Sequence, residues 1–464
     1  MKHRKVIAFS GILLGMMSSV LMQTIVATVL PMVTKDLGDM DLYGWVFSSY
    51  MIASSISIPL FSKLADLYGR KPLYLYGLIL FLIGSALSGS AHSIGQLIAS
   101  RILQGLGAGA VAPSALALIS DLFPNEERGK WLGFLAVAQV LANVTGPIVG
   151  SVIADYWGWH WAFYANLPLG LLAFLMISLG LDNQVNRTRG NWRSMDILGA
   201  LLLGVLTVLI ILGSQKLGKY ALLSWQSALF ILTSVVILVI LLRQEKTHPD
   251  PVISAHLLQT TNIIPVLLIT LLFGALMYGI IMILPLYGQL IFGQNAWQGG
   301  RLLIPLTLGL GIGGILVSPL TKKLDYVRMV VSVWSITFCG FALLWAVSQI
   351  RLPDSFLIII IFIIGLGLGG IFPTLLLISQ NVVSQNQRAV IAGFVQLARN
   401  IGGAIGVPVF TNFVTLKAVY TTFFGQPVFT FVYMLLMVGA GVALIIGFML
   451  KGGMKQEHVH ESGL

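Results

Sequence analysis

Apolar and polar positions along this chain alternate on the scale of whole helices. Apolar runs, each near the roughly 20 residues that carry a helix across a bilayer, are separated by short polar segments. The pattern predicts fourteen spans, at about 6–33, 43–64, 72–91, 96–120, 131–154, 161–181, 196–213, 222–242, 262–286, 299–320, 328–349, 355–379, 389–414 and 427–450. The breaks between them are short, including the stretch from Arg243 to Thr261.

The break after the second run is the most informative. It reads Ser62-Lys63-Leu64-Ala65-Asp66-Leu67-Tyr68-Gly69-Arg70-Lys71. Gly69 permits a tight bend, and Asp66 can cap or pair across it. Arg70 and Lys71 assign this turn to the cytoplasmic face, because basic residues are retained on that side of a membrane. The rest of the chain agrees. With both termini cytoplasmic, cytoplasmic segments hold 19 of the 27 Lys and Arg residues.

The pattern also repeats. Gly105, Gly107, Gly109 and Pro113 of the fourth run recur as Gly365, Gly367, Gly369 and Pro373 of the twelfth, at a constant offset of 260. Gly146 and Gly406 keep the same offset. Spans one to six therefore repeat as nine to fourteen, a transporter architecture. The predicted division is a six-helix half over 1–190, two inserted helices over 191–248, and a second six-helix half with a short cytoplasmic tail over 249–464.

Composition narrows the class. Of the 464 residues, 57% are hydrophobic and 9% charged, against about 25% charged in soluble domains. This predicts an all-α polytopic membrane protein. The net charge of +11 sits in loops between apolar runs, so it reflects topology rather than nucleic-acid binding. One cysteine, Cys339, excludes an internal disulfide. The seven histidines lie in tails or at span ends without metal-ligand spacing. The first apolar run exceeds a signal-peptide core of about 7–15 residues and is expected to be retained. No nucleophile–base arrangement or phosphate loop points to an enzyme, and no long soluble segment points to a sensor.

Several motifs carry a resemblance. Ser62–Lys71 resembles the loop motif G-x-L-x-D-R-x-G-R-K of the major facilitator superfamily, with Ser62 and Leu67 departing from it. Arg101-Ile102-Leu103-Gln104-Gly105 resembles its R-x-x-Q-G motif. Gly146-Pro147-Ile148-Val149-Gly150 resembles the antiporter motif G-P-x-x-G-G, with Ser151 in place of the last glycine. Trp159–Phe163 with Asn166 and Pro168, and Thr24–Thr28 with Pro31, resemble signatures of the fourteen-helix drug/proton antiporter branch, the EmrB and QacA type. The resemblance implies a multi-pass exporter in a bacterial cell membrane. It would be a monomer that moves amphiphilic compounds by alternating access, in contact with membrane lipid. It would have no cofactor and be driven by protons. Asp66, Gly69, Arg70 and Lys71 would belong to a cytoplasmic gate. Arg101 and Gln104 would act in the transport cycle. Gly146, Pro147 and Gly150 would shape a helix that slides.

One departure bears on energy coupling. The branch usually carries an acid where this chain has Met22, and methionine cannot titrate. No carboxylate lies deep in any predicted span. Asp155 first, then Asp41, are the alternative proton carriers. A translocator of lipids or anionic amphiphiles on the same scaffold, with altered or absent proton coupling, is the competing expectation. Arg399, near mid-depth, carries a charge that costs at least about 2.5–3.5 kcal/mol at the membrane centre. It has three candidate roles: hydrogen bonding to Gln139, Asn143 or Asn400; pairing with Asp155 or Asp41; or meeting an anionic substrate or lipid group. Candidate cavity residues are Met22, Gln23, Gln139, Asn143, Tyr50 and Tyr278, with Met16, Met17, Phe47, Phe273 and Met282 able to add an adaptable apolar lining.

Overall fold

The computed structural model describes residues 2–123, 125–181, 196–217, 225–248, 251, 260, 262–291, 299–320, 325–349, 354–383, 388–415, 422–423 and 426–450. The fold is helical. In chain order the helices are α1 (Lys2–Leu37), α2 (Tyr43–Tyr68), α3 (Arg70–Gly89), α4 (Ile94–Leu122), α5 (Asn125–Trp157), α6 (Trp159–Tyr164), α7 (Asn166–Gly180), α8 (Ile197–Leu217) and α9 (Trp225–Thr247). They continue as α10 (Ile263–Ile291), α11 (Leu303–Leu320), α12 (Tyr326–Val347), α13 (Asp354–Asn381), α14 (Arg388–Thr415) and α15 (Val428–Phe448). A helix occupies each of the fourteen apolar runs. Among the described residues, nine helices are long and apolar enough to cross a membrane.

Three local features differ from the sequence expectation. The charged break at Ser62–Lys71 is almost wholly helical, because α2 runs to Tyr68 and α3 starts at Arg70. The turn is Gly69 alone, at φ 98°, a backbone angle that side chains with a Cβ avoid. The sixth run is split at Ala165 into α6 and α7. A two-residue antiparallel ribbon, Thr422–Phe423 with Gln426–Pro427, precedes α15.

Helices α1–α7 pack against one another, and so do α10–α15. The glycine repeat explains how. A Cβ on Gly105 or Gly109 would strike α2 at Tyr50 and Ser54, and one on Gly107 would strike α3 at Gly77 and Phe81. In the second set, Gly365 and Gly369 press on α11 at Leu306 and Leu310, while Gly367 presses on α12 at Val333 and Thr337. Gly146 and Gly150 seat α5 on Thr24 and Thr28 of α1, and Gly406 seats α14 on Ala275 of α10. In both sets, missing side chains let backbones approach where burial of apolar surface supplies little drive.

The two sets meet through α2 with α14, α5 with α11 and α1 with α10. Helix α8 lies along that seam, touching both α2 and α14, and α9 packs on α8. The α8–α9 pair is tied by Asp196, which accepts from the Gly199 amide at 2.8 Å and from Gln244 Nε2 at 3.0 Å. Two-thirds of the apolar windows of α1 and α10 are buried, against 44% for α3 and 39% for α15, so α1 and α10 form the centre. Outer faces carry exposed stripes such as Ile79, Ile83 and Leu87 of α3, a surface that suits lipid rather than water.

The packing yields a paired expectation in α14. Gly402→Ala drives a Cβ into the Leu271 carbonyl, whereas Gly393 has nothing within 4 Å of that position. Gly402→Ala should cost about 1–3 kcal/mol and lower the melting temperature by several degrees. Gly393→Ala should leave it unchanged or raised, since alanine is the better helix former. Thermal unfolding of both purified variants checks this.

Candidate functional site

The polar centre is built on Arg101. It lies two turns into α4, fully buried. Its Nε donates to the Val46 carbonyl of α2 at 3.3 Å. One Nη donates to Gln104, which the three-residue spacing places on the same helix face. The guanidinium carbon stands 4.2 Å from the ring centroid of Tyr50, within cation–π range. The Tyr50 hydroxyl then meets Ser19 Oγ of α1 at 3.1 Å. One turn further along α1, Gln23 Oε1 accepts from the Tyr278 hydroxyl of α10 at 3.4 Å. The Tyr278 ring lies 5.3 Å from that of Phe47 on α2. A chain of contacts thus runs from α4 through α2 and α1 to α10, joining the two helix sets.

Further contacts between the sets lie toward the end bearing the α1–α2 connection. Tyr43 donates to the Met282 carbonyl at 3.3 Å and Gln289 to the Thr28 carbonyl at 3.4 Å. Gly44 abuts Pro408 and Thr411 of α14, and Gly300 faces Ser151 of α5 at 3.1 Å from the position a Cβ would take. Ser151, which departs from the antiporter motif, is therefore matched by a glycine across the seam.

At the opposite end, the basic residues of the turn have partners within α1–α7. Arg70 pairs with Asp121 of α4 at 2.5 Å and donates to the Ala117 carbonyl at 3.1 Å. Lys71 donates to the Ser178 and Leu181 carbonyls at 3.1 and 2.5 Å, capping the C-terminus of α7. Lys5 reaches the Leu122 carbonyl at 3.0 Å, over a cluster in which Phe123 stacks on Trp131 with ring centroids 4.2 Å apart. The side chains of Asp66 and Asp41 lie outside the described residues.

The other sequence candidates are dispersed. Met22, Tyr50 and Tyr278 are buried between helices, whereas Gln23, Gln139 and Asn143 keep partial exposure. Pro147 is buried in α5, its carbonyl accepting from Ser151 at 2.6 Å. Asp155 lies in the last turn of α5. The Arg399 guanidinium covers the ring of Phe372 at 4.4 Å, and Asn400 accepts instead from Gln396 at 3.1 Å. Sequence reasoning missed Phe372 and Ser19. Neither carried a motif, and Phe372 sits on another helix, 27 residues before its cation.

The profile of the Major Facilitator Superfamily matches residues 12–407. The chain belongs to that superfamily. Two relatives from Bacillus subtilis (strain 168) are similar to it. "Multidrug resistance protein 3" is 32% identical over 88% of this chain and 80% of the relative. "Multidrug transporter protein MdtP" is 33% identical over 88% and 74%. A solved structure of the peptide transporter POT, 17% identical, superposes with a TM-score of 0.70 over 96% of this chain and 93% of that one; at that identity the likeness speaks for the fold. This superfamily member is a multi-pass membrane transporter of small molecules, not an enzyme.

The Arg101 centre separates the roles of ring and hydroxyl at position 50. Tyr50→Phe keeps the ring under the guanidinium and loses the Ser19 contact, so transport should stay within about twofold. Tyr50→Leu removes a desolvated cation–π contact of about 2 kcal/mol and should lower initial transport rates by tenfold or more. Flux measured in vesicles containing equal amounts of each variant checks the difference.

Proposed function

We propose that this protein is a fourteen-span exporter of the EmrB and QacA type. It moves amphiphilic or lipophilic compounds out of the cell by alternating access, in exchange for protons. The names of the two Bacillus subtilis relatives support the multidrug class. The distribution of basic residues supports cytoplasmic termini in a bacterial cell membrane. In this reading 1–190 and 249–464 are the two moving halves, 191–248 supplies the inserted pair, and the unit is a monomer in direct contact with lipid. The proton gradient is the energy source, and no cofactor takes part.

The observation that carries the reading is where the halves touch. Tyr43–Met282, Gln289–Thr28 and Gly44–Pro408 lie at the end assigned to the outside. At the cytoplasmic end, Arg70 and Lys71 engage α4 and α7 of their own half. These contacts support a transporter closed at its outer end. Exchange of the two sets of contacts would carry substrate across.

In this reading proton coupling takes a route other than the first span, because Met22 there carries no titratable group. Asp155, then Asp41, are the proposed carriers, with Arg101 and Gln104 as the polar relay. A second reading, translocation of lipids or anionic amphiphiles with weakened coupling, is favoured by the same Met22 and by Arg399 at mid-span. Reconstituted vesicles with an imposed pH gradient separate the two. Proton-coupled export predicts flux that rises severalfold with the gradient, and substrate-induced proton release that Asp155→Asn or Asp41→Asn reduces. Flux indifferent to the gradient would remove the antiport claim.

A further inference from the structure

Among the described residues, Arg101 and Arg399 stand inside the bundle, and they are held differently. Arg101 is enclosed by Val46, Gln104 and Tyr50, so the protein supplies most of its partners. Arg399 has a ring under one face and partial exposure on the rest. Its Nε is buried without a hydrogen-bond partner. The two amides beside it on α14, Gln396 and Asn400, bond each other at 3.1 Å. Its backbone is fixed, because the Arg399 carbonyl lies where a Cβ of Gly274 on α10 would be.

Charge bookkeeping points the same way. All sixteen acidic residues of the chain lie in tails, in loops or near span ends. Arg399 is eleven residues from the first residue of α14, a rise of about 16 Å. The predicted spans therefore place no carboxylate at that depth. A stacked guanidinium still presents its N–H edge, a planar fork that matches two oxygens of an anion. Phe372 also stacks on Phe273 of α10, ring centroids 6.0 Å apart, so the cation is flanked by a rigid aromatic wall.

We propose that Arg399, with Phe372 beside it, binds the anionic head of a transported amphiphile. The ligand class is a lipophilic monoanion, a carboxylate or phosphate ester whose apolar body lies against Phe372. This rests on the reading of the chain as an exporter of amphiphiles and specifies the charge that the exporter accepts. Arg101 does not serve this purpose: one Nη also lacks a partner, but the side chain is fully buried, with Nε, the other Nη and the π face engaged, and presents no accessible edge.

The test uses the full-length protein in phosphatidylcholine nanodiscs and a matched probe pair, dansyl-undecanoic acid and its methyl ester. A charge-assisted hydrogen bond in a desolvated site predicts that the acid binds about tenfold tighter than the ester. Arg399→Gln should abolish that preference and leave ester binding within about twofold. Arg399→Lys should keep a preference for the acid, severalfold weaker, because lysine lacks the fork. Phosphatidylglycerol added to the nanodiscs identifies the source of the anion. Competition with the acid in the native protein but not in Arg399→Gln assigns the site to a lipid head, and acid binding untouched by it assigns the site to a solute; either supports the proposal. Equal binding of acid and ester by the native protein would overturn it. So would equal weakening of both by Arg399→Gln, which marks a structural role. If the Gln variant does not fold, loss of the preference in a folded Lys variant overturns it. Vesicle efflux of the ester tests the export reading separately: a protein that binds acid through Arg399 yet moves neither compound retains the site and loses the exporter.

Discussion

A guanidinium held inside hydrocarbon needs acceptors, and Arg101 finds one on α2 and one on its own helix, with a ring of α2 against its face. Its bond to the Val46 carbonyl and its stacking on Tyr50 fix α4 against α2. The Tyr50–Ser19 contact extends that order to α1, and Gln23–Tyr278 carries it across the seam to α10. In a low-dielectric interior such contacts are expensive to leave half made. The layer is therefore a natural site for a two-state seal. Its members are largely engaged with one another, one Arg101 Nη and the Gln104 Nε2 being left without a partner, and the bonds that break on opening must be replaced by other partners or by substrate.

Glycine packing lets that seal move. Backbone-on-backbone contacts at Gly105, Gly109, Gly365 and Gly369 hold helices together within each half. Between the halves, α2 packs along α14, and near the outer end the contacts include hydrogen bonds such as Tyr43 to the Met282 carbonyl and small-residue approaches such as Gly44 on Pro408 and Gly300 on Ser151. Two close-packed sets that meet along a seam of small residues can rock as two bodies. Helix α8, touching α2 and α14 alike, lies where such rocking would open a gap toward lipid.

The helical plan was legible in the sequence because apolar run length and basic loops are one-dimensional signals. The glycine offset was legible too, and the packing explains it, since the same spacing serves equivalent neighbours in both helix sets. The sequence places Gly69 as a bend within a longer loop, whereas the turn is that residue alone, because charged residues such as Arg70 and Lys71 are accommodated in a helix end at a membrane surface. The site was less legible. Arg101 and Gln104 are visible by motif, and Tyr50, Gln23 and Tyr278 are among the cavity candidates that the sequence suggests. Their connection into one chain depends on three-dimensional approach. Phe372 under Arg399 left no sequence signal, because an aromatic residue in an apolar helix is ordinary until its neighbour is known.

The central claim is that the contacts Tyr43–Met282, Gln289–Thr28 and Gly44–Pro408, with the Arg101–Tyr278 layer behind them, close the outer end in the resting state and open during transport. Spin labels at Met40→Cys and Phe413→Cys, in a Cys339→Ser background, would straddle that end. Their pulsed-dipolar distance distribution reads the seal directly. The account predicts a single short, narrow distance at rest and a second, longer population when substrate and a pH gradient are applied. One unchanged distance under every condition, or a broad distribution at rest, would contradict it.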